Sequence, residues 1–271
     1  MKIANYCLDR WMDFERYTPA DQIRQTLKTC RRQYDQYIRL KVNLKNNLIT
    51  LLDGTFPGIN TLFKSTSRDT DGHEKWVDFA GKFWHCECVC GKSEFVFTNQ
   101  YRKWCTKAGY RFSTEKAASI YAYAASQVNT LPMTDAIKCL VTLAVTQLNT
   151  IMETISAIQQ EMLTLASRLP EYPIVMRMFG VGPVLGPQLM AEIGDVRRFE
   201  RKQSLVAFAG VDAPPCQSGT SESKNRHISK RGSPRLRKTL FQVMSTIIWS
   251  CVSCSRMYFR IVASFMPTVL T

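Results

Sequence analysis

The residues best suited to attack a phosphodiester lie in the last quarter of the chain. Gly210 to Ser223 reads GVDAPPCQSGTSES, and KNRHISKRGSPRLRK follows, placing Lys224, Arg226, Lys230, Arg231, Arg235, Arg237 and Lys238 within fifteen residues. A serine hydroxyl attacks phosphorus only when its proton has somewhere to go and the charge growing on the phosphoryl oxygens is neutralised. Ser218 stands between Gln217 and Gly219, where close backbone approach is possible, and the downstream arginines can supply positive charge. Spacing leaves Ser221, Ser223 and Ser229 as competing nucleophiles. His227 is a candidate proton carrier or a phosphate contact. A solvated loop beside a solvated basic face is the alternative reading of the whole stretch.

Metal-assisted phosphoryl transfer would instead need clustered carboxylates. Asp9, Asp13 and Glu15 are close in sequence, but Arg10 and Arg16 lie among them, and an ion-paired helix face accounts for the group. Asp195, just after Gly194, reads as a cap. Zinc is the other possibility: His85, Cys86, Cys88 and Cys90 lie together, with His73 and Cys105 as companions. Zinc sites usually pair ligands as C-x₂₋₄-C, whereas C-x-C-x-C in a strand-like or turning segment makes no tetrahedron unaided. Core cysteines and a hydrogen-bonded histidine are the favoured reading, so no metal ligands are assigned. The ten cysteines show no small-secreted-domain pattern and read mostly as reduced thiols.

What could hold DNA beside such a serine is the stretch MFGVGPVLGPQLMAEIGDVRRF, Met178 to Phe199. A hydrophobic helix end, a Gly-Val-Gly-Pro turn, a helix from about Val184 to Ile193 and a Gly194-Asp195 stop make a helix-hairpin-helix pattern. Gly180 and Gly182 permit a tight turn, and Pro183 suits the first position of the second helix, where no N–H is needed. Amides exposed there can hold a phosphate oxygen, with help from the helix dipole, which grips a backbone without reading bases. A plain helical hairpin remains the alternative.

The elements that must position these residues are mostly helical. Ile23, Leu27, Cys30, Tyr34, Tyr37, Lys41, Leu44, Leu48 and Leu51 recur in alternating steps of four and three, which predicts one long helix from Asp21 to Leu52. Ile137, Val141, Ala144, Leu148, Ile151, Ile155, Ile158, Met162, Leu165 and Leu169 repeat the alternation. Two such seams are expected to pair as an antiparallel coiled coil with an aromatic-rich insert at its tip, or to drive self-association. Within the insert, Asn99 to Gly109 and Ser113 to Val128 read as helices, the second capped by Ser113, Thr114 or Glu115. Glu171 to Pro173 breaks the second long helix. Lys202 to Ala209 forms a short helix, and Ser233-Pro234 opens another that buries Leu236, Leu240, Val243, Met244 and Ile247.

A chain of 271 residues, 45% apolar, can bury a sizeable core. Its 36 basic against 22 acidic residues leave a net charge of +14, which favours polyanionic partners and predicts steep salt dependence. No run approaches the ~20 apolar residues of a membrane span, and MKIANYCLDRW is no signal peptide, so a cytoplasmic protein without membrane contact is expected.

LPEYPIVMRMFGVGPVLGPQLMAEIGDVRRF, then LVAFAGVDAPPCQSGT, then ISKRGSPRLRKTLF, in that order, closely resemble transposases of insertion-sequence family 110, which also includes Piv-type DNA invertases. The resemblance is strong from about Leu169 to Phe241. It implies a mainly α chain: residues 1–20 as a remnant of a RuvC-like domain, 21–57 and 133–169 as coiled-coil helices, 58–132 as the insert, 170–250 as the helix-hairpin-helix transposase domain, and 251–271 as an atypical tail. It further implies DNA strand cleavage and rejoining through a covalent serine–DNA intermediate, with Ser218 as nucleophile. Gly180, Gly182, Lys224, Arg226, Lys230, Arg231, Arg235, Arg237 and Lys238 would contact DNA. A structured guide RNA and a homo-oligomer, or association with full-length transposase, are implied as partners. The family's four metal-binding acids, which would hold Mg²⁺, are expected upstream of Met1, so this chain is expected to be truncated, without a cofactor of its own and inactive alone. The alternative is a non-enzymatic nucleic-acid-binding remnant that associates with intact transposase.

Overall fold

The computed structural model describes residues 21–64, 68, 71–213, 217–218, 221–222 and 227–250. These are mainly α-helical. In chain order the helices are α1 (Gln22–Asp53), α2 (Lys75–Lys82), α3 (Glu87–Cys90), α4 (Glu94–Ala108), α5 (Thr114–Ser126) and α6 (Asp135–Ser167). They continue with α7 (Tyr172–Met176), α8 (Leu185–Ile193), α9 (Lys202–Ala209) and α10 (Pro234–Ser250). Between α9 and α10 lie two short antiparallel strands, β1 (Gln217–Ser218) and β2 (Ser221–Glu222). None of the described helices is long and apolar enough to cross a membrane. The chain divides into two compact units, residues 32–161 and residues 1–31 with 162–271.

In the first unit, the seam residues Leu48 of α1 and Val141 and Leu148 of α6 are buried in one core with the insert, joined there by Leu52 and Met152, which are buried where the expected seam residues Leu51 and Ile151, one position earlier, are only partly so. Tyr34 accepts a hydrogen bond from Gln159 at 3.1 Å. At the other end of α1, the Gly54 carbonyl accepts from the amides of Thr130 and Leu131, so here the two helices run antiparallel. Phe79 is the hub of the insert: its ring lies 4.7–6.4 Å from those of Phe56, Phe63, Phe83, Tyr101 and Trp104. Such edge and offset contacts add specificity to the large apolar area that aromatic rings bury. Lys41, a polar residue in the α1 seam, is accounted for by Glu74, which it meets at 3.1 Å while Lys45 approaches the same carboxylate at 2.7 Å. Burial opposes the Glu74 charge, but hydrogen bonds from Lys45, Trp76 and Lys41 hold its carboxyl below the usual range. On the outer face of α6, Thr142, Thr146, Thr150 and Thr154 each donate to the carbonyl four residues back, which satisfies a run of β-branched polar residues inside a helix.

The cysteine segment departs from expectation. It is neither strand-like nor a bare turn but the helical α3, in which the Cys90 thiol meets the Cys86 carbonyl at 3.2 Å. His85 is 1% exposed; its Nδ1 accepts from the Glu87 amide and its Nε2 donates to the Leu131 carbonyl. That arrangement occupies both ring nitrogens and fixes a neutral tautomer. Burial, reinforced by the neighbouring Cys90, pushes the Cys86 thiol up to about 12.

In the second unit, α8 packs against α7 and α10, and Val181, Leu189, Met190, Val243 and Ile247 are buried. The first turns of α1 belong to this unit, held by two arginines seven residues apart on one face. Arg24 meets both oxygens of Glu171 at 2.7 and 2.8 Å, and Arg31, 1% exposed, stands 4.0 Å from Glu192 of α8. Breaking such a buried pair from one side costs ~3–5 kcal/mol, because a charge is stranded. One boundary differs from the sequence reading. α6 ends at Ser167, before Glu171, and Pro173 lies in the first turn of α7, where its missing N–H costs nothing.

Candidate nucleic-acid interface

The turn between α7 and α8 separates its two glycines by role. Gly180 has φ +80°, a conformation L-residues adopt only at a cost, and a Cβ there would stand 2.5 Å from Ile247 Cγ1 and 3.3 Å from the Val243 carbonyl oxygen. Gly182 has no positive φ, and a Cβ there would meet nothing within 4 Å. Internal packing requires the first glycine and not the second. Pro183 sits in the turn just ahead of α8 rather than at its first residue. The Gly182 carbonyl nevertheless accepts from the Gly186 amide at 2.9 Å, so the first helical bond already closes over the proline. The amides of Gly182 and Val184 donate to no acceptor among the described residues. Pro183, Val184 and Phe179 are exposed around them. At the far end of α8, Asp195 caps the following 3-10 turn (Val196–Arg198) by accepting the Arg197 amide at 2.9 Å.

The serine-bearing loop is closed at its base. Residues 208–212 and 229–233 run antiparallel: Ser229 N donates to Asp212 O, Lys230 N to Gly210 O and Ser233 N to Phe208 O. Ser229 Oγ donates to the Asp212 carboxylate at 2.5 Å. Two glycines allow this approach. Gly210, at φ +66°, ends α9, and a Cβ on it would lie 2.7 Å from the Gly232 amide nitrogen; a Cβ on Gly232 would run into the Phe208 carbonyl. Lys230 has φ +55° and is the non-glycine residue held in the left-handed region among those described. Such strain persists only where the surroundings over-determine it.

Inside this clamp, the β1–β2 hairpin pairs Ser218 with Ser221 and Gln217 with Glu222. Only the backbone of those four is described, and Ser223, Lys224 and Arg226 lie outside the described residues. Of the other basic positions, Lys230, Arg231, Arg235 and Lys238 are exposed. Arg237 is half-buried and donates to the Ala209 carbonyl at 3.1 Å, so it caps the end of α9. His227 is exposed. Ser229 is tied to Asp212, which gives it a part in closing the loop.

Sequence reasoning missed Arg198, whose exposed guanidinium lies 4.6 and 4.5 Å from the ring centroids of Phe199 and Phe208. The RRF tripeptide carried that signal; the Asp212–Ser229 clamp, joining residues seventeen apart, carried none. Among the described residues, no three or more His, Cys, Asp or Glu gather where a metal ion could be held.

Residues 172–260 match the family described as the Transposase IS116/IS110/IS902 family. The chain is also 37% identical over 73 residues to a protein named "Putative transposase y4rJ" from Sinorhizobium fredii (strain NBRC 101917 / NGR234). That similarity covers 27% of this chain and 18% of the relative.

Proposed function

Because residues 172–260 match the Transposase IS116/IS110/IS902 family, we propose that this module grips DNA and that Ser218 is its nucleophile. In the proposed step, Ser218 Oγ bonds to phosphorus, the deoxyribose oxygen leaves and takes up a proton, and reversal with another strand's hydroxyl rejoins DNA and frees the serine. The observation that carries the reading is the clamped loop. Its two ends are fixed by Asp212–Ser229 and by the Gly210–Gly232 approach, the β1–β2 hairpin bears Ser218, and exposed Lys230 and Arg231 follow at its base. Fixed donors beside a reacting phosphate stabilise charge without reorganising during the step.

The α7–α8 segment is read as a helix-hairpin-helix, with the open surface at Gly182 and the Gly182 and Val184 amides as its phosphate contact. The described residues supply no carboxylate set for Mg²⁺, so no step here runs through the ion. The long helices α1 and α6 are read as a coiled coil; exposed Leu40, Leu140 and Leu143 favour a second copy or an intact transposase as partner. A structured guide RNA belongs to the same proposal. A non-enzymatic nucleic-acid-binding role beside an intact transposase is the second reading.

The test is plasmid strand exchange by a transposase that carries this module together with a metal-binding half, followed by denaturing gels for covalent protein–DNA adducts. Ser218→Ala is expected to abolish both exchange and adduct, while Ser221→Ala leaves them. Continued exchange by Ser218→Ala would remove the assignment.

A further inference from the structure

The insert contains a cleft that the transposase module does not account for. It lies within residues 32–161, is open to solvent, and encloses about 530 Å³ among Thr61, Phe63, Lys64, Lys75, Lys116 and Ser119. Three lysines line it and no acid does. Neither Lys64, Lys75 nor Lys116 has a carboxylate within ion-pair distance among the described residues, whereas Lys41, Lys45 and Arg68 of the same unit all have one. The hydroxyls of Thr61 and Ser119 donate to the Gly58 and Lys116 carbonyls, so among the side chains the ammonium groups are the donors offered to a ligand.

Two of those ammonium groups, on Lys75 and Lys116, are held in place. Lys75 Nζ lies over the rings of Phe63, Tyr101 and Tyr110 at 5.2–5.7 Å and donates to the Arg111 carbonyl at 3.2 Å. Lys116 Nζ lies 5.5 Å from the Phe63 ring centroid. Aromatic faces fix a cation's position without neutralising it, and the Arg111 carbonyl takes one of the three N–H groups of Lys75. Burial lowers the Lys75 pKa, against the opposing effect of the Cys105 thiol and with the neighbouring Lys116 charge adding to it.

We propose that the Lys64–Lys75–Lys116 cleft is a phosphate site that holds the backbone of a strand of nucleic acid. Two cations held over aromatic rings and a third, exposed one, Lys64, around an open cleft suit a phosphate that belongs to a polymer passing across it, and a chain of net charge +14 has the long-range field to recruit one. No base-edge reader is required, so binding is insensitive to sequence. This surface lies in a different unit from the serine loop, and the inference stands whether or not Ser218 is the nucleophile.

The experiment measures fluorescence anisotropy of an end-labelled oligothymidylate with the full chain across a salt series. The wild type is compared with Lys64→Gln/Lys116→Gln, which leaves the packed Lys75 in place, and with Lys230→Gln/Arg231→Gln as a control for the other unit. Each phosphate contact to a single strand contributes a slope of about 0.7 in log K against log salt, hence about five-fold in affinity at 0.1 M. The insert variant is expected to bind roughly 25-fold more weakly, with a slope smaller by about 1.4. Independently of any variant, reductive methylation of the wild type followed by mass spectrometry should show Lys64 and Lys116 protected by the oligonucleotide and not by millimolar inorganic phosphate. Unchanged affinity and slope in a folded variant, absence of protection, or protection by inorganic phosphate alone would each overturn the proposal.

Discussion

Replacing Gly180 and Gly182 by alanine, one at a time, separates what the hairpin turn needs in order to fold from what it offers to DNA. At Gly180 the new methyl must occupy the left-handed region, which costs ~1–2 kcal/mol. It also presses 2.5 Å from Ile247 Cγ1 on α10, and overpacking of this kind costs ~1–3 kcal/mol. Loss of glycine entropy in the unfolded chain returns only ~0.4–1 kcal/mol, so Gly180→Ala should destabilise the module by about 1–4.6 kcal/mol. At Gly182 neither cost arises, and the same entropy effect should leave stability unchanged or higher by up to ~1 kcal/mol. Of the five tryptophans, Trp76, Trp84 and Trp104 belong to the other unit and would swamp the emission of Trp249 in α10, so bulk fluorescence is a poor reporter of the change. Amide hydrogen exchange along α8 and α10 would: a loss of ~2 kcal/mol speeds exchange through opening by about 30-fold. DNA affinity is expected to reverse the order of direct effects, with folded Gly182→Ala weakened by about ten-fold because its methyl stands at the proposed phosphate contact. Equal exchange rates in the two variants would refute the packing argument, and wild-type DNA affinity in Gly182→Ala would refute the phosphate contact.

Ser229→Ala should loosen the loop, raising exchange at Ser229 and Lys230 by roughly ten-fold for the ~1–2 kcal/mol of a charge-assisted bond; a native exchange pattern would show that the Asp212 contact holds nothing. Lys230→Gln/Arg231→Gln should lower the slope of duplex-DNA affinity against salt by about 1.8, read by filter binding, and an unchanged slope would take these two out of the interface. Phe79→Ala should cost about 3–5 kcal/mol in urea unfolding followed by tryptophan fluorescence, since it removes the hub ring of the insert. The Cys86 thiol should stay unreacted with iodoacetamide at pH 8 while exposed Cys139 is alkylated, as peptide mapping would show. Because folding raises its pKa, the unfolded thiol ionises first. The Cys86 contribution to stability is therefore complete below about pH 9 and is lost as pH rises toward about 12.

Helical periodicity was legible where burial follows a 3.6-residue repeat. The reading of Asp21 to Leu52 differs from α1 by one residue at each end, and Lys202 to Ala209 coincides with α9. What periodicity could not reveal was long-range. The seam lysine Lys41 is explained by Glu74, thirty-three residues away, and the Asp212–Ser229 and Gly210–Gly232 approaches join segments across a loop that has no regular pattern. The glycines of the turn were legible as a pair but not by role, because a positive φ and a crowding Ile247 are properties of the packed chain. Arg237 shows the same limit. It stood in a run of seven basic residues, and nothing local distinguished the one that caps α9 from those that face solvent.

That sorting of charges bears on how a net +14 is put to use. In the described residues, several acids are engaged by particular cations: Glu171 by Arg24, Glu192 by Arg31, Glu74 by Lys41 and Lys45, and Asp71 by Arg68. These pairs neutralise basic residues that the fold itself holds, so the surplus falls on side chains outside such pairs. In the module that follows α6, Arg197, Arg198, Lys230, Arg231 and Lys238 are exposed; in the insert, Lys64 is exposed and Lys75 and Lys116 are partly so. Counterion release depends on how many such cations meet phosphates at once, and the two groups are separate in sequence and in unit. If both engage nucleic acid, neutralising one group should reduce the salt slope by its own share and leave the other's intact. Two independent decrements would therefore identify two contact surfaces, whereas a diffuse cationic surface would lose slope in proportion to charge removed anywhere on it.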